Sequence, residues 1–146
     1  MTKDQLKEHC EAELEKIETT LAELFLVVEP EKTEYSTADL AAMATFIHNF
    51  YSGIENILKR ILLFKQKEIQ ESPTWHKDLL KSALDMKIIR QELFDKLSNY
   101  LSFRHFFIHG YGFTLKWDAL KPLVDNAKKK LRRFQIHNLQ RDNRLN

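Results

Sequence analysis

The residues of this chain best suited to chemistry lie in the stretch RHFFIHGYG, which runs from Arg104 to Gly112. It combines Arg104, His105, His109 and Tyr111 with two of the chain's three glycines. Arginine is a permanent cation whose planar guanidinium matches phosphate oxygens, and histidine is the side chain best suited to proton transfer near neutral pH. An arginine and a histidine suffice for metal-free RNA cleavage, because the histidine accepts the 2′-hydroxyl proton and the arginine stabilises the negative charge that builds on the phosphorane.

The spacing between Arg104 and His109 is unusual for two groups that act together. They are five residues apart, so at about 100° per residue they would point roughly 140° away from each other on one continuous helix. A helix that needs only a buried face does not favour this arrangement. A helix end that presents a cation and an acid/base group to one phosphate does.

Each of these residues also has an ordinary structural interpretation, which the sequence leaves open. Arg104 is a surface cation or pairs with an acid such as Glu55. His109 is a helix-terminal histidine favoured by the helix dipole, and Tyr111 is a half-buried aromatic with its hydroxyl in water. The occurrence of all three in this register, beside two glycines, favours the functional interpretation.

The elements that must position these residues are predicted by hydrophobic periodicity. A first helix carries apolar residues from Leu6 to Val28 and ends at Pro30. A second helix begins after a Ser36 or Thr37 cap and runs to about Ile69. A short helix follows the Ser72-Pro73 break in the segment TWHKDLLKSAL.

The fourth and fifth predicted helices are the ones nearest the candidate site in the sequence. A fourth helix is predicted from about Ile88 to Ile108 and stops at Gly110, because glycine accepts the left-handed conformation that follows a helix end. Asp118 is expected to cap a fifth helix that has Pro122 in its opening turns. Four long helices and one short helix with short connections predict an all-α, up-and-down helical bundle.

Length and composition predict one helical domain over residues 1–140, followed by a frayed tail over residues 141–146. Only three glycines and three prolines argue against an all-β fold. No apolar run is long enough for a membrane span, and the first ten residues lack the apolar core of a signal peptide. With the single cysteine, Cys10, this predicts a cytoplasmic protein without membrane association.

Charge is distributed unevenly along the chain, although the formal net charge is only +2. Residues 1–34 hold ten acidic residues against four lysines, a net charge of −6. Residues 116–146 hold nine lysines and arginines against three aspartates, a net charge of +6, and include KKKLRR from Lys128 to Arg133. This basic end is either a solvated helix face or a surface that attracts polyanions such as RNA.

The sequence from Arg104 through His109 to Tyr111, at the end of the penultimate helix of a small bundle, resembles the HEPN superfamily. Within that superfamily it is most similar to HepT-type toxins, which are encoded beside a minimal nucleotidyltransferase antitoxin. The segments FYSGIENIL (Phe50 to Leu58) and TWHKDLL (Thr74 to Leu80) also look like those of this family. The resemblance therefore covers most of the chain.

The resemblance implies a metal-independent endoribonuclease toxin of a type VII-like toxin–antitoxin pair, with tRNA as a candidate substrate. It implies a homodimer whose two chains share an active-site cleft, and it makes Arg104 and His109 the catalytic pair. It also implies that the partner nucleotidyltransferase attaches AMP to Tyr111 and thereby silences the toxin. An added phosphate would place charge and bulk where RNA must enter.

Other polar residues are assigned to supporting roles or to none. Many relatives carry Asn or Asp where this chain has His105, so His105 is either an extra RNA contact or a weaker orienting group. Glu55 and Asn56 are either interior polar groups that support the site or exposed residues on the helix seam. His48 and His76 are assigned to packing or capping.

No cofactor and no metal site are expected. His105 and His109 have the four-residue spacing of two zinc ligands on a helix, but no third ligand is evident in the sequence.

A second functional hypothesis remains open beside the ribonuclease. The chain would then be a non-catalytic HEPN partner of a minimal nucleotidyltransferase, using the same pocket only to bind a nucleotide or substrate. His105 is the sequence feature that favours this alternative.

Overall fold

The fold was examined in a computed structural model, which describes residues 1–110, 115–127 and 129. It contains helices α1 (Lys3–Val27), α2 (Thr37–Phe64), α3 (Trp75–Asp85) and α4 (Gln91–Ile108). Residues 117–127 form a further helical segment, α5. No strand occurs in these described ranges, which confirms the prediction of an all-α, HEPN-like bundle. The predicted tail over residues 141–146 lies outside them.

Helix α1 begins at a capping box and ends before Pro30, as its sequence predicts. The Thr2 hydroxyl accepts a hydrogen bond from the Gln5 backbone N–H, and the Gln5 side chain accepts one from the Thr2 N–H. This reciprocal pair satisfies two amides that the first helical turn leaves free. The buried face of α1 repeats at steps of three and four residues: Leu6, Cys10, Leu14, Ile17, Leu21 and Leu24.

Helix α2 is capped by the Ser36 hydroxyl, which accepts a hydrogen bond from the Asp39 N–H. It ends at Phe64, so the predicted extension to about Ile69 is wrong. Gln66 adopts a left-handed conformation with φ 62°, and the Lys67 N–H bonds to the Leu62 carbonyl at 2.8 Å. This is a Schellman ending formed without the usual glycine, which is why the apolar pattern alone overruns it.

Helix α2 is the central element of the bundle, in contact with α1, α3 and α4. At Gly53 it lies so close to α1 that a Cβ atom there would come within 2.5 Å of Cγ1 of Ile17. One hydrophobic cluster extends from Leu6 in α1 to Ala127 in α5. The helices that carry the candidate site are therefore held on a shared core.

Helix α5 begins at Trp117, one residue before the aspartate expected to cap it. The Lys116 carbonyl accepts a hydrogen bond from the Leu120 N–H, so Lys116 is the cap and Asp118 lies in the first turn. The prediction of an Asp118 cap is wrong. An acid in the first turn still stabilises the helix, because it interacts favourably with the positive end of the helix dipole. Tyr100 of α4 donates a hydrogen bond from its buried hydroxyl to the Leu123 carbonyl, which connects α4 to α5.

None of the helices in the described ranges is both long enough and apolar enough to cross a lipid bilayer.

Candidate functional site

Arg104 lies on the side of α4 that faces α2. Tyr100 and Phe107, one turn before it and one turn after it, both contact aromatic residues of α2, and residues at these spacings share a helix face. The Arg104 side chain is half-buried and forms no salt bridge with any acid among the described residues. The pairing of Arg104 with Glu55, one of the open alternatives, is therefore absent.

His48 of α2 lies against this face of α4. Its ring centroid is 5.3 Å from that of Phe107, and its Nδ1 atom is buried without a hydrogen-bond partner among the described residues. Burial first, and the positive charge of Arg104 second, lower the pKa of the His48 imidazole. The structure thus brings a histidine that favours its neutral form into the electrostatic field of the candidate arginine.

His109 is the C-cap residue of α4, and His105 lies one turn before it on the same face. Both are exposed, and their ring centroids are 4.2 Å apart. The His109 N–H bonds to the His105 carbonyl at 3.2 Å. Since α4 is continuous through Ile108, the angular separation between Arg104 and His109 expected from their spacing persists within one chain.

Gly110 ends α4 as the sequence predicts. Its φ of 80° is in the left-handed region that glycine enters without strain, and its N–H bonds to the Phe107 carbonyl at 3.4 Å. Tyr111, the predicted modification site, lies outside the described residues, as does Gly112.

A second polar cluster lies deeper in the bundle, between α2 and α3. The Glu55 carboxylate is only 6% exposed, and its Oε2 atom lies 2.8 Å from Nδ1 of His76, which is 18% exposed. The His76 ring also packs against Trp75, with centroids 3.7 Å apart. Glu55 is therefore the interior polar group of the two alternatives considered for it, and it binds α3 rather than Arg104.

Tyr51 lies between this cluster and Arg104. Its hydroxyl is buried and has no hydrogen bond of normal geometry among the described residues. The Glu55 carboxylate is nevertheless close enough to influence the pKa of this hydroxyl. Burial, followed by the negative charge of Glu55, raises the pKa of Tyr51, while the positive charge of Arg104 acts in the opposite direction. Tyr51 is thus influenced by the charges of both Arg104 and Glu55, and Glu55 in turn contacts His76.

Asn56, the other supporting candidate, is exposed. It lies beside Glu13 and Lys59 in a shallow groove between α1 and α2. Asn56 is therefore on the exposed seam of α2 rather than in the interior.

Sequence reasoning did not assign His48, Tyr51 and His76 to this constellation. The signal that could have identified the α2 residues is their spacing, because positions 48, 51 and 55 follow steps of three and four and so share one helix face. The strong apolar stripe of α2 obscured this narrower polar line. His76 carries no comparable signal, since its partner is 21 residues away in sequence.

Comparisons with known proteins identify one family. A family model described as "HepT-like protein" matches residues 42–141. This range includes most of α2 and all of α3, α4 and α5, and with them every candidate residue named above. No curated protein and no solved structure matches the chain.

Proposed function

Because this chain belongs to the HepT-like family of HEPN proteins, we propose that it is a metal-independent endoribonuclease toxin. The observation that carries this proposal is Arg104, a half-buried arginine without an acidic partner among the described residues, one turn before a helix end that presents His109. An arginine without a protein counter-ion in such a position is suited to hold a phosphate.

The proposed reaction uses the RNA itself as the source of the nucleophile. A histidine accepts the proton of a 2′-hydroxyl, whose oxygen attacks the adjacent phosphorus, and the bond to the 5′-oxygen breaks. Arg104 stabilises the negative charge that builds on the phosphoryl oxygens. His109 acts as a proton-transfer group in this reaction. No metal or cofactor takes part in this scheme, and tRNA is the proposed substrate class.

A homodimer would bring Arg104 and His109 from different chains to one cleft. Within one chain the two side chains diverge, since they lie five residues apart on a continuous helix. At the end of α4, Ile108 is 49% exposed and lies next to the half-buried Phe107. An exposed apolar side chain next to the site suits an interface between two copies.

The second part of the proposal concerns regulation of the toxin, which we place in the cytoplasm. A minimal nucleotidyltransferase antitoxin attaches AMP to Tyr111, two residues beyond His109. The added phosphate and nucleoside would occupy the path of the RNA backbone and repel it. We also propose that residues 1–140 act as one domain.

An RNA cleavage assay in EDTA tests the catalytic proposal. Wild type is expected to cut an RNA pool, whereas Arg104→Ala and His109→Ala lose at least about 100-fold in rate, the low end for loss of a charge-stabilising donor or of a positioned acid/base group. Arg60→Ala and His9→Ala are matched controls, because both residues are exposed and lie on α2 and α1. Retained cleavage in the Arg104 and His109 variants would show that the site is wrongly assigned.

Wild-type protein that binds RNA, nucleotide or the nucleotidyltransferase without any cleavage would select the non-catalytic alternative. The contact between the His105 and His109 rings is the observation that favours that alternative, because a neighbouring ring restricts the motion of His109.

Intact mass measurement tests the regulatory proposal. Incubation with the cognate nucleotidyltransferase and ATP should add the mass of one AMP to wild type and to Tyr35→Phe, but not to Tyr111→Phe. The same mass gain in Tyr111→Phe would place the modification elsewhere.

A further inference from the structure

His48 packs against the face of α4 that carries Arg104. The Arg104 and Phe107 side chains are three residues apart on α4 and share a face, and the His48 ring packs against Phe107 with centroids 5.3 Å apart. Burial, and after it the positive charge of Arg104, lowers the pKa of His48. His109, in contrast, lies on the exposed end of α4 beside His105.

The chemical state of His48 is restricted by its surroundings. Its Nδ1 atom is buried and has no acceptor or donor among the described residues. An imidazolium must donate from both ring nitrogens, so an unpartnered buried nitrogen disfavours the charged form. Burial and the Arg104 charge lower the pKa of His48 from its usual value of 6.5, which favours the neutral ring, the form that can accept a proton.

RNA cleavage of the proposed kind needs two proton transfers, one from the nucleophile and one to the leaving group. A single histidine would have to perform both in sequence. We propose that His48 is a second catalytic residue of this site and accepts the proton of the RNA 2′-hydroxyl, while His109 donates a proton to the leaving 5′-oxygen. This inference rests on the proposed ribonuclease function and divides its acid and base roles between two histidines.

The step balances without any further reactant. The 2′-O–H bond breaks and its proton moves to His48, while the 2′-oxygen forms a bond to phosphorus. The bond from phosphorus to the 5′-oxygen breaks, and that oxygen takes a proton from His109. The products are a 2′,3′-cyclic phosphate and a 5′-hydroxyl, and transfer of the His48 proton to solvent and uptake of one by His109 restore the enzyme.

The test uses single-turnover cleavage of a short RNA by the full chain. His48→Gln is expected to slow cleavage at least 100-fold without weakening RNA binding, and to remove the acidic limb of the pH–rate profile. In wild type that limb should lie below the ordinary histidine pKa, because of burial and the Arg104 charge. Arg104 is the charged side chain among the described residues whose field reaches His48, and His9→Gln on α1 is the exposed control.

A second substrate separates the base from the acid. In RNA with sulfur in place of the 5′-oxygen at the cleavage site, the leaving group departs without a proton. This substrate should restore cleavage by His109→Ala but not by His48→Gln. Restoration of both variants, or wild-type cleavage by His48→Gln, would overturn the role of His48 while leaving the ribonuclease intact. A wild type that cleaves neither RNA would instead overturn both proposals.

A measurement on wild type keeps the proposal testable if the His48 variants fail to fold. A 2′-deoxy oligonucleotide can bind but cannot react, because it lacks the nucleophile. NMR of the ring protons and carbons should show a neutral His48 at pH 7 whose signals shift when this oligonucleotide binds. A charged His48, or signals unchanged at saturation, would refute the assignment.

Discussion

The buried contact between the Glu55 carboxylate and the His76 ring allows a sharp prediction, because the chain contains an exposed acid–base pair of almost the same length. Glu55 and His76 lie 2.8 Å apart with side chains 6% and 18% exposed. Lys121 and Asp125 lie 2.7 Å apart with side chains 56% and 58% exposed. Distance is therefore matched between the two pairs, which differ in burial and in the basic residue.

Removal of the His76 side chain would strand the Glu55 carboxylate in the interior. Breaking a fully buried pair costs about 3–5 kcal/mol, and a hydrogen bond to a charged group contributes about 1.5–3 kcal/mol. Since His76 retains some exposure, we expect His76→Ala to lower the free energy of unfolding by about 2–4 kcal/mol. For a chain of this size that corresponds to a fall in Tm of roughly 5–12 °C.

The decisive comparison is between His76→Ala and the double variant that also carries Glu55→Gln. A neutral amide costs less to bury than an unpaired carboxylate, so the double variant should be more stable than His76→Ala alone. Urea unfolding monitored by circular dichroism measures all of these free energies. Asp125→Asn, which breaks the exposed pair, should cost no more than about 1 kcal/mol.

Two results would refute this reasoning. If His76→Ala and Asp125→Asn lower the free energy of unfolding by the same small amount, burial does not increase the cost of removing the partner of Glu55. If the double variant is less stable than His76→Ala by the full cost of Glu55→Gln, the two side chains act independently.

Three further predictions concern α1, α2 and α4. Gly53→Ala should lower the free energy of unfolding by about 1–3 kcal/mol through overpacking, since the new Cβ would lie 2.5 Å from Cγ1 of Ile17. In a chain that already carries Ile17→Ala, the loss of stability caused by Gly53→Ala should be smaller, as measured by urea midpoints. Gly110→Ala should cost about 1 kcal/mol in thermal unfolding because its φ is 80°, and Gly110→Asn should cost less; equal loss in both would exclude the backbone explanation. Burial raises the pKa of Tyr51, so its contribution to stability is complete below the unfolded value of about 10 and falls as pH rises above it. Tyr51→Phe should therefore reduce the alkaline loss of stability, and an unchanged slope between pH 10 and 11 would contradict this.

The sequence predicted the helices well because their apolar residues recur at helical spacing. The buried positions of α1 and the Ser36 cap follow directly from that pattern. The error at the end of α2 arose because Gln66 adopts a left-handed conformation without being glycine. A non-glycine residue at such a position depends on tertiary surroundings, which a local pattern does not contain.

The candidate site was only partly predictable for a related reason. Arg104 and His109 are close in sequence, so a short motif reveals them. The pairing of Glu55 with His76 and the packing of His48 against Phe107 depend on which helices are neighbours. Such contacts between distant segments follow from the fold and not from spacing, and the interior position of Glu55 could not be distinguished from the exposed one of Asn56.

Tyr100 connects α4 to both α2 and α5. Its ring packs against Phe50 and Tyr51 of α2, and its hydroxyl bonds to the Leu123 carbonyl in α5. Besides Tyr100, Leu97 is the fully buried residue of α4. Movement of α4 away from α2 would therefore displace Tyr100 and disturb its hydrogen bond to α5. We therefore expect opening of α4 to speed hydrogen exchange in α5 as well, although the contact of Trp117 with Tyr35 still holds the start of α5.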